Sequence, residues 1–461
     1  MKSPSVCVIG AGASGLVAAK VLHERGVAFD CFEKGSGIGG LWRFNNDNGM
    51  SAAYQSLHIN SSRYTMAFSD FPMPKSLPDF PHHSDILEYY ENYVDHFGFR
   101  DQIKFRTSVD SVEPDGNRYC VSIDGPFGKS QHLYDHVIVA NGHHWFPKLP
   151  TFPGEFSGRS FHSHSYKNPR DLEDKRVLVI GIGNSGCDIA CEVSRISKRT
   201  FLSTRRGAHI IPKYILGKPL DRICPPFFWN HLPFRLFQKL FEVVLRVTRG
   251  RLTRFGLPQP PHRILEEHPT VSSDLLNLLG HGRIQMKPNV ENMLGHQVQF
   301  ADGSIEEIDV VIYATGYNIQ FPFLLPEILD PIGNEIPLYK RVVHPSLRGL
   351  YFIGLVQPCG PLNPLSEAQC QWVTDLIQSL GELPSEAGML QGIGKTRQQA
   401  RKRYGDSTRH TIQVDFHPYL KDLKKVRTQC RNRKRRSPDR FDQSNPESSP
   451  TPAEIGLRRA S

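Results

Sequence analysis

The chain lacks any apolar run approaching the ~18 residues that a membrane-spanning helix needs, so no transmembrane span is expected. There is little room for a secretory leader. Only Met1 to Pro4 precede the first strand-like run, whereas a leader needs a charged region, an apolar core and a cleavage site. The nine cysteines are odd in number and scattered. Without a leader they read as reduced thiols of a cytoplasmic protein. A charged body is also missing. The net charge is +10, but residues 421–461 hold twelve basic and five acidic residues, which leaves +3 for residues 1–420. A nearly balanced body gives no support to a nucleic-acid-binding core, and no nucleic-acid partner is expected. An ordinary apolar share of 39% excludes wholesale disorder. A chain of 461 residues is long enough for two or three domains.

One pattern is present twice. The first copy runs from Ser5 through Gly10, Gly12 and Gly15, and the second from Arg176 through Gly181, Gly183 and Gly186. Each is a β-branched apolar strand, then G-x-G-x-x-G, then a helix-compatible stretch and a second strand. That is the βαβ unit of a doubly wound α/β sheet. Apolar runs that end in small residues at Ala140-Asn141-Gly142 and Ala314-Thr315-Gly316, and the run Leu350 to Gly354, predict further buried strands. The strands at Val310–Tyr313 and Tyr351–Ile353 are expected in one sheet with the N-terminal half.

In the first loop Gly10 permits the tight turn, Gly12 lets a pyrophosphate approach the backbone, and Gly15 lets helix and strand pack closely. The helix end at Ala13 and Ser14 offers N–H groups and a positive dipole to phosphates. Glu33 ends the second strand, where an acid accepts hydrogen bonds from ribose hydroxyls. FAD is the cofactor expected there. The second unit has no acid at that place but Ser203-Thr204-Arg205-Arg206. Guanidinium groups bind a 2′-phosphate and an acid would repel it, so NADPH is expected. Two such sites in one chain imply electron transfer between two cofactors.

Phe156-x-Gly158-x-x-x-His162-x-x-x-Tyr166, just ahead of the second loop, resembles the identifying motif of flavin-containing monooxygenases. Glu33-Lys34 leading to Gly39-Gly40-Leu41-Trp42, the run Tyr54 to Ser61 followed by Phe68 to Pro72, and Tyr313 to Tyr317 resemble the same family. The resemblance covers about residues 1–425. It implies an enzyme in which NADPH reduces FAD and a flavin hydroperoxide, formed with molecular oxygen, oxygenates a nitrogen or sulfur of a small amine or sulfide. It places Leu41 and Trp42 at FAD, Asn60 with Ser61 at the flavin ring, with Asn60 the catalytic residue, and Ser185 and Asp188 at the NADP loop. The His162 motif would join the two domains. An amide such as Asn60 can donate and accept without delivering a proton.

These readings divide the chain into an FAD-binding domain, first part, at 1–160, an NADP-binding domain at 161–310 with a mostly helical insertion at about 207–275, the second FAD part at 311–425, and a disordered basic tail at 426–461. The pairs His82-His83 and His143-His144 and the His162-x-His164 spacing lack acid or cysteine partners, so no metal is expected. Cys187 and Cys191 are spaced by four, which disfavours a dithiol relay and a disulfide reductase. A Baeyer–Villiger monooxygenase acting on a ketone is the closer rival. Its motif typically ends in Trp followed by Pro or Asp, where this chain has Tyr166-Lys167. An uncoupled NADPH oxidase or NADPH-binding flavoprotein would carry the same cofactor motifs. Residues 226–247 place apolar residues near helical spacing among Arg235, Lys239 and Arg246, the pattern of a channel cover or of a helix on a membrane surface. A homodimer is carried as an option.

Overall fold

The structure, a computed structural model, describes residues 4–223, 233–405 and 411–436. Two five-stranded parallel sheets carry it. In the first the strands run Leu350–Phe352, His136–Val139, Ser5–Ile9, Ala28–Phe32 and Ile103–Lys104. In the second they run Arg159–His162, Val310–Tyr313, Arg176–Ile180, Arg199–Ser203 and Ile284–Lys287. The two-unit α/β architecture agrees with the expectation. Strands buried on both faces have to be apolar throughout. Val6 to Ile9 and Val177 to Ile180 are accordingly all buried.

The strand Val310–Tyr313 lies in the second sheet, between Arg159–His162 and Arg176–Ile180, and not in the first as expected. The reason is a pairing between residues far apart in the chain. Arg176 donates from its backbone N–H to Asp309 Oδ2 at 2.8 Å and from Nε at 3.0 Å, which sets the register. Ala314 then closes the Gly181 turn as Ala140 closes the Gly10 turn: their N–H groups donate to Ile180 O and Ile9 O at 2.8 and 2.9 Å. Each glycine loop needs its own small-ended strand beside it. The strand at 350–352 does join the first sheet, next to His136–Val139. That sheet is therefore assembled from both ends of the chain.

Two further expectations are corrected. Among its described residues the insertion is not mostly helical. Only Phe234–Arg249 among them is a helix of more than four residues, and short strands at Ile210–Ile211, Tyr214–Ile215, Lys218–Pro219 and Thr270–Val271 hold the rest. Prolines at 212, 219, 233, 258, 260, 261 and 269 remove the donors that a longer helix needs. The tail does not lose structure at 426. The helix Phe416–Arg436 continues through it. Arg427 and Arg431 each reach Asp375, which is 1% exposed, with Nε–Oδ2 distances of 2.6 and 2.7 Å. Val426 and Cys430 are buried beside them. Residues 437–461 lie outside the described residues.

Candidate functional site

The first glycine loop opens on a cavity of about 580 Å³. It lies at the carboxyl ends of the parallel strands, where α/β sheets bind ligands. Gly10, Gly12, Ala13, Ser14, Glu33, Leu41 and Trp42 all line it. The backbone explains the glycines. Gly10 has φ +100°, and a Cβ there would stand 2.8 Å from Ala140 O. A Cβ on Gly15 would stand 1.7 Å from Gly10 O, and one on Gly40 would stand 3.0 Å from Gly12 Cα. The helix Ala13–Glu24 starts at Gly12 with no side-chain cap. Its first N–H groups thus have no intrahelical partner and face the cavity. That donor set, at a dipole end and against bare glycine backbone, fits the pyrophosphate of a dinucleotide.

Glu33 is 4% exposed. Its Oε2 accepts from Ala11 N at 2.8 Å, and its Oε1 from Gly35 N at 2.8 Å and from Asn48 Nδ2 at 2.9 Å. Three donors hold the carboxylate rigidly, with one of its roughly four acceptor sites left for a hydroxyl. Ser14 reaches across to Ser366, Oγ to Oγ 3.1 Å, and faces Gly354, whose N–H donates to Gln369 Oε1 at 2.9 Å.

Asn60 and Ser61 lie outside this cavity lining. Both are half-buried, and Asn60 Oδ1 is buried without a hydrogen-bond partner among the described residues. An unpaired buried acceptor is costly and marks a place where a ligand's or water's donor fits.

In the second unit Gly181 has φ +119°, and a Cβ on it would stand 2.3 Å from Ala314 O. A Cβ on Gly186 would stand 2.0 Å from Gly181 O. The helix Asn184–Val193 starts at Gly183, again without a side-chain cap, and Ser185 lies in its first turn. Asp188 accepts from Tyr54 OH at 2.6 Å, and burial raises its carboxyl above the usual range against that hydrogen bond. Asp188 therefore ties the second unit to the 54–61 segment. Arg205 is exposed with no ion pair among the described residues, and Arg206 pairs with Glu267 at 3.1 Å. Ser203 departs from its expected role. It is 1% exposed and its only hydroxyl hydrogen goes to Pro288 O at 2.6 Å, so it has no proton left for a phosphate. Thr204 likewise donates to Arg206 O at 2.6 Å.

The His162 motif includes the edge strand of the second sheet, and the residues after it reach the 49–54 segment. Tyr166 OH donates to Glu192 Oε2 at 2.8 Å, and its ring meets Tyr54 at 6.0 Å. Lys167 Nζ donates to Ser51 O and Ala53 O at 2.9 and 3.1 Å. His162 Nδ1 accepts from His164 N at 3.1 Å, and burial pulls the imidazole down to about 4. A neutral, buried ring suits a joint and not a base. Cys187 and Cys191 are separate buried thiols whose pKa burial raises. Among the described residues no cluster of three potential ligands could hold a metal, and no helix is long and apolar enough to cross a membrane.

Sequence reasoning missed His143 and Asn48 as cavity residues. His143 is 9% exposed, neither ring nitrogen has a partner among the described residues, and burial holds its imidazole well below its usual range. Its place just past the end of the strand His136–Val139, beside the first glycine loop, was the available signal.

Two dinucleotide-binding units joined through one motif define a flavoprotein that draws on a nicotinamide cofactor. Residues 3–432 match the model of the flavin-binding monooxygenase-like family, and the chain belongs to that family, FAD-dependent monooxygenases that use NADPH. It is 41% identical over 442 residues to flavin-containing monooxygenase 5 of Rattus norvegicus, covering 92% of this chain and 82% of the relative. It is 36% identical over 437 residues to dimethylaniline monooxygenase [N-oxide-forming] 2 of Macaca mulatta, covering 91% and 81%. The S-allyl-L-cysteine S-oxygenase of Allium sativum shares the fold, with a TM-score of 0.69, 24% identity and 96% of both chains covered.

Proposed function

We propose that this enzyme transfers one atom of O₂ to a nucleophilic nitrogen or sulfur of a small molecule. NADPH supplies two electrons, and the second oxygen atom leaves as water: NADPH + H⁺ + O₂ + substrate give NADP⁺, water and the N- or S-oxide. The observation that carries this reading is the opposite chemistry at the two strand ends, a buried Glu33 in one unit and an exposed Arg205 beside a half-buried Arg206 in the other.

In this reading FAD lies along Gly10, Gly12, Ala13, Ser14 and Gly15, with Glu33 on the ribose and Leu41 and Trp42 on the cavity wall. When bound, it supplies the oxygen-activating redox chemistry. NADPH lies along Gly181, Gly183, Ser185, Gly186 and Asp188, its 2′-phosphate met by Arg205 and Arg206. Asn60, with Ser61, orients both at the junction. The FAD-binding domain is discontinuous and the NADP-binding domain is inserted into it. The residues serve mainly to bind, orient and exclude water, since oxygenating a nucleophile needs no protein base.

The N-oxide-forming relative supports nitrogen as an acceptor. The motif end is consistent with it: Tyr166 donates to Glu192, and Lys167 to the carbonyls of Ser51 and Ala53. The experiment is a stoichiometry: NADPH consumed against oxygenated product, with hydrogen peroxide measured in parallel, for tertiary amines, thioethers and ketones. Coupled turnover of ketones alone would replace this reading with the Baeyer–Villiger one. Peroxide with every substrate would make the protein an oxidase.

The eight described cysteines are all free, which supports a cytoplasmic location. The helix Phe234–Arg249 buries Phe237, Phe241 and Leu245 but leaves Leu236, Leu240, Val243 and Val247 between 46% and 80% exposed. That open apolar face, edged by Arg235, Lys239 and Arg246, supports peripheral contact with a membrane surface.

A further inference from the structure

The backbone on both sides of Asn60 is held by residues of the inserted segment. On the N-terminal side Lys213 Nζ donates to Ile59 O at 3.1 Å. On the C-terminal side Asp221 Oδ2 accepts from Ser62 N at 2.7 Å and from Thr65 Oγ1 at 2.6 Å. Two ring contacts anchor the strap that carries these groups. Tyr214 meets Phe80 edge-on at 5.2 Å and donates to Asp79 at 3.1 Å, and Arg222 lies over the Tyr64 ring at 4.3 Å. Lys213 also looks toward the second unit. Burial lowers its pKa, and the nearby carboxylates of Asp188 and Asp274 work against that.

Inside this clamp the polar atoms are unevenly served. Asn60 Oδ1, Ser62 Oγ and Asp221 Oδ1 are buried without partners among the described residues, while the flanking backbone of Ile59 and Ser62 is paired at both N–H and carbonyl. A turn whose own role was structural would satisfy its side chains first. Here the backbone is fixed from outside and the Asn60 acceptor is left unpaired.

We propose that Asp221 and Lys213 are positioning residues: from the inserted segment they fix the turn Ile59–Ser62 and so aim Asn60 at the bound cofactors. This rests on the placement of Asn60 in the proposed function. Neither residue takes part in the chemistry. Their loss leaves Asn60 present but loosely held, and reducing equivalents then escape as hydrogen peroxide, in the balanced leak NADPH + H⁺ + O₂ to NADP⁺ + H₂O₂.

The test uses the FAD-loaded enzyme with NADPH and no amine or sulfide, comparing the parent with Asn60→Asp, Asp221→Ala, Asp221→Asn and Lys213→Met. Three readouts are taken: peroxide release per flavin, the rate of flavin reduction, and amide hydrogen exchange of residues 60–66. Asn60→Asp, Asp221→Ala and Lys213→Met are expected to leak faster, with flavin reduction little changed. In Asp221→Ala the Ser62 amide should exchange roughly tenfold faster or more, the fold-change for losing a hydrogen bond to a charged group. Asp221→Asn should behave as the parent, because one amide oxygen can accept both bonds that Oδ2 accepts. A leak in Asn60→Asp without one in Asp221→Ala or Lys213→Met overturns the positioning role and leaves Asn60 in place. Parent-like leakage in Asn60→Asp overturns the placement of Asn60 and this inference with it. Asp221→Asn leaking as fast as Asp221→Ala overturns the hydrogen-bond account. If Asp221→Ala does not retain flavin, Lys213→Met decides.

Discussion

At Gly10 and at Gly181 the chain makes the same turn. The first glycine of each loop lies at positive φ, +100° and +119°, against the carbonyl of an alanine that ends the neighbouring strand. The third glycine of each would drive a Cβ into the first glycine's carbonyl oxygen, at 1.7 and 2.0 Å. What differs is the end of the next strand. Glu33 is buried and receives three hydrogen bonds before any ligand arrives. Arg205 is open to solvent, and Arg206 is held by Glu267. The first site is thus preformed, and a ligand adds to bonds already made. In the proposed reading the second would exchange the Arg206–Glu267 ion pair for a phosphate. That suits a cofactor kept permanently in the first unit and one recruited at each turnover in the second.

The sharpest way to break this comparison is to put a methyl group at the matched glycines. Gly15→Ala is expected to lose FAD with NADPH binding spared, and Gly186→Ala the reverse. Overpacking of about 3 kcal/mol corresponds to roughly 100-fold in affinity. Flavin content of the purified protein and NADPH titration of the holoenzyme read the two losses. If both variants lose the same cofactor, the assignment of the loops is wrong.

A smaller effect is expected at the charged strand end. Losing one charge-assisted phosphate contact costs about 1.5–3 kcal/mol, or roughly 10- to 150-fold in affinity. The Michaelis constant for NADPH should rise by that factor in Arg205→Ala or Arg206→Ala, and further in the double variant, while NADH is little affected. A parent-like constant in all three would remove both residues from the phosphate site.

The joint between the units offers a pH test. The His162 imidazole is depressed to about 4 by burial, against about 6.5 in an unfolded chain. Between those values the unfolded chain binds the proton that the folded one refuses. Stability therefore falls as pH drops below 6.5, by about 1.4 kcal/mol at pH 5.5 from this group alone. His162→Gln keeps an acceptor for His164 N and should flatten the fall of the melting temperature between pH 7 and 5.5. An unchanged slope would show that His162 is protonated without penalty.

Ser203→Ala is expected to have the smallest effect. It removes a hydrogen bond to Pro288 O, worth about 1 kcal/mol of stability, and should leave the NADPH constant within about twofold of the parent. A rise comparable to that of Arg206→Ala would return Ser203 to the phosphate site.

The glycine spacing, the buried strands and the charges at 33 and 205–206 were legible in the chain because each is a local steric or electrostatic demand, met within about thirty residues. A positive φ or a strand buried on both faces restricts residue type wherever the rest of the chain goes. The destination of Val310–Tyr313 was not legible, since an apolar strand suits either sheet and only the pairing of Arg176 with Asp309 selects one. Nor was the order in 426–436, where basic residues suggest a solvated tail until a buried Asp375, more than fifty positions earlier, gathers Arg427 and Arg431.

By itself, then, the sequence determined two dinucleotide loops of opposite charge preference and the motif that joins them. Only the tertiary structure decided which strand serves which loop, and that Ser203 faces inward. It alone brought Lys213 and Asp221 to the two sides of Asn60. Those choices depend on long-range hydrogen bonds and burial, which no local spacing encodes because both partners look like ordinary surface polar residues until the chain brings them together.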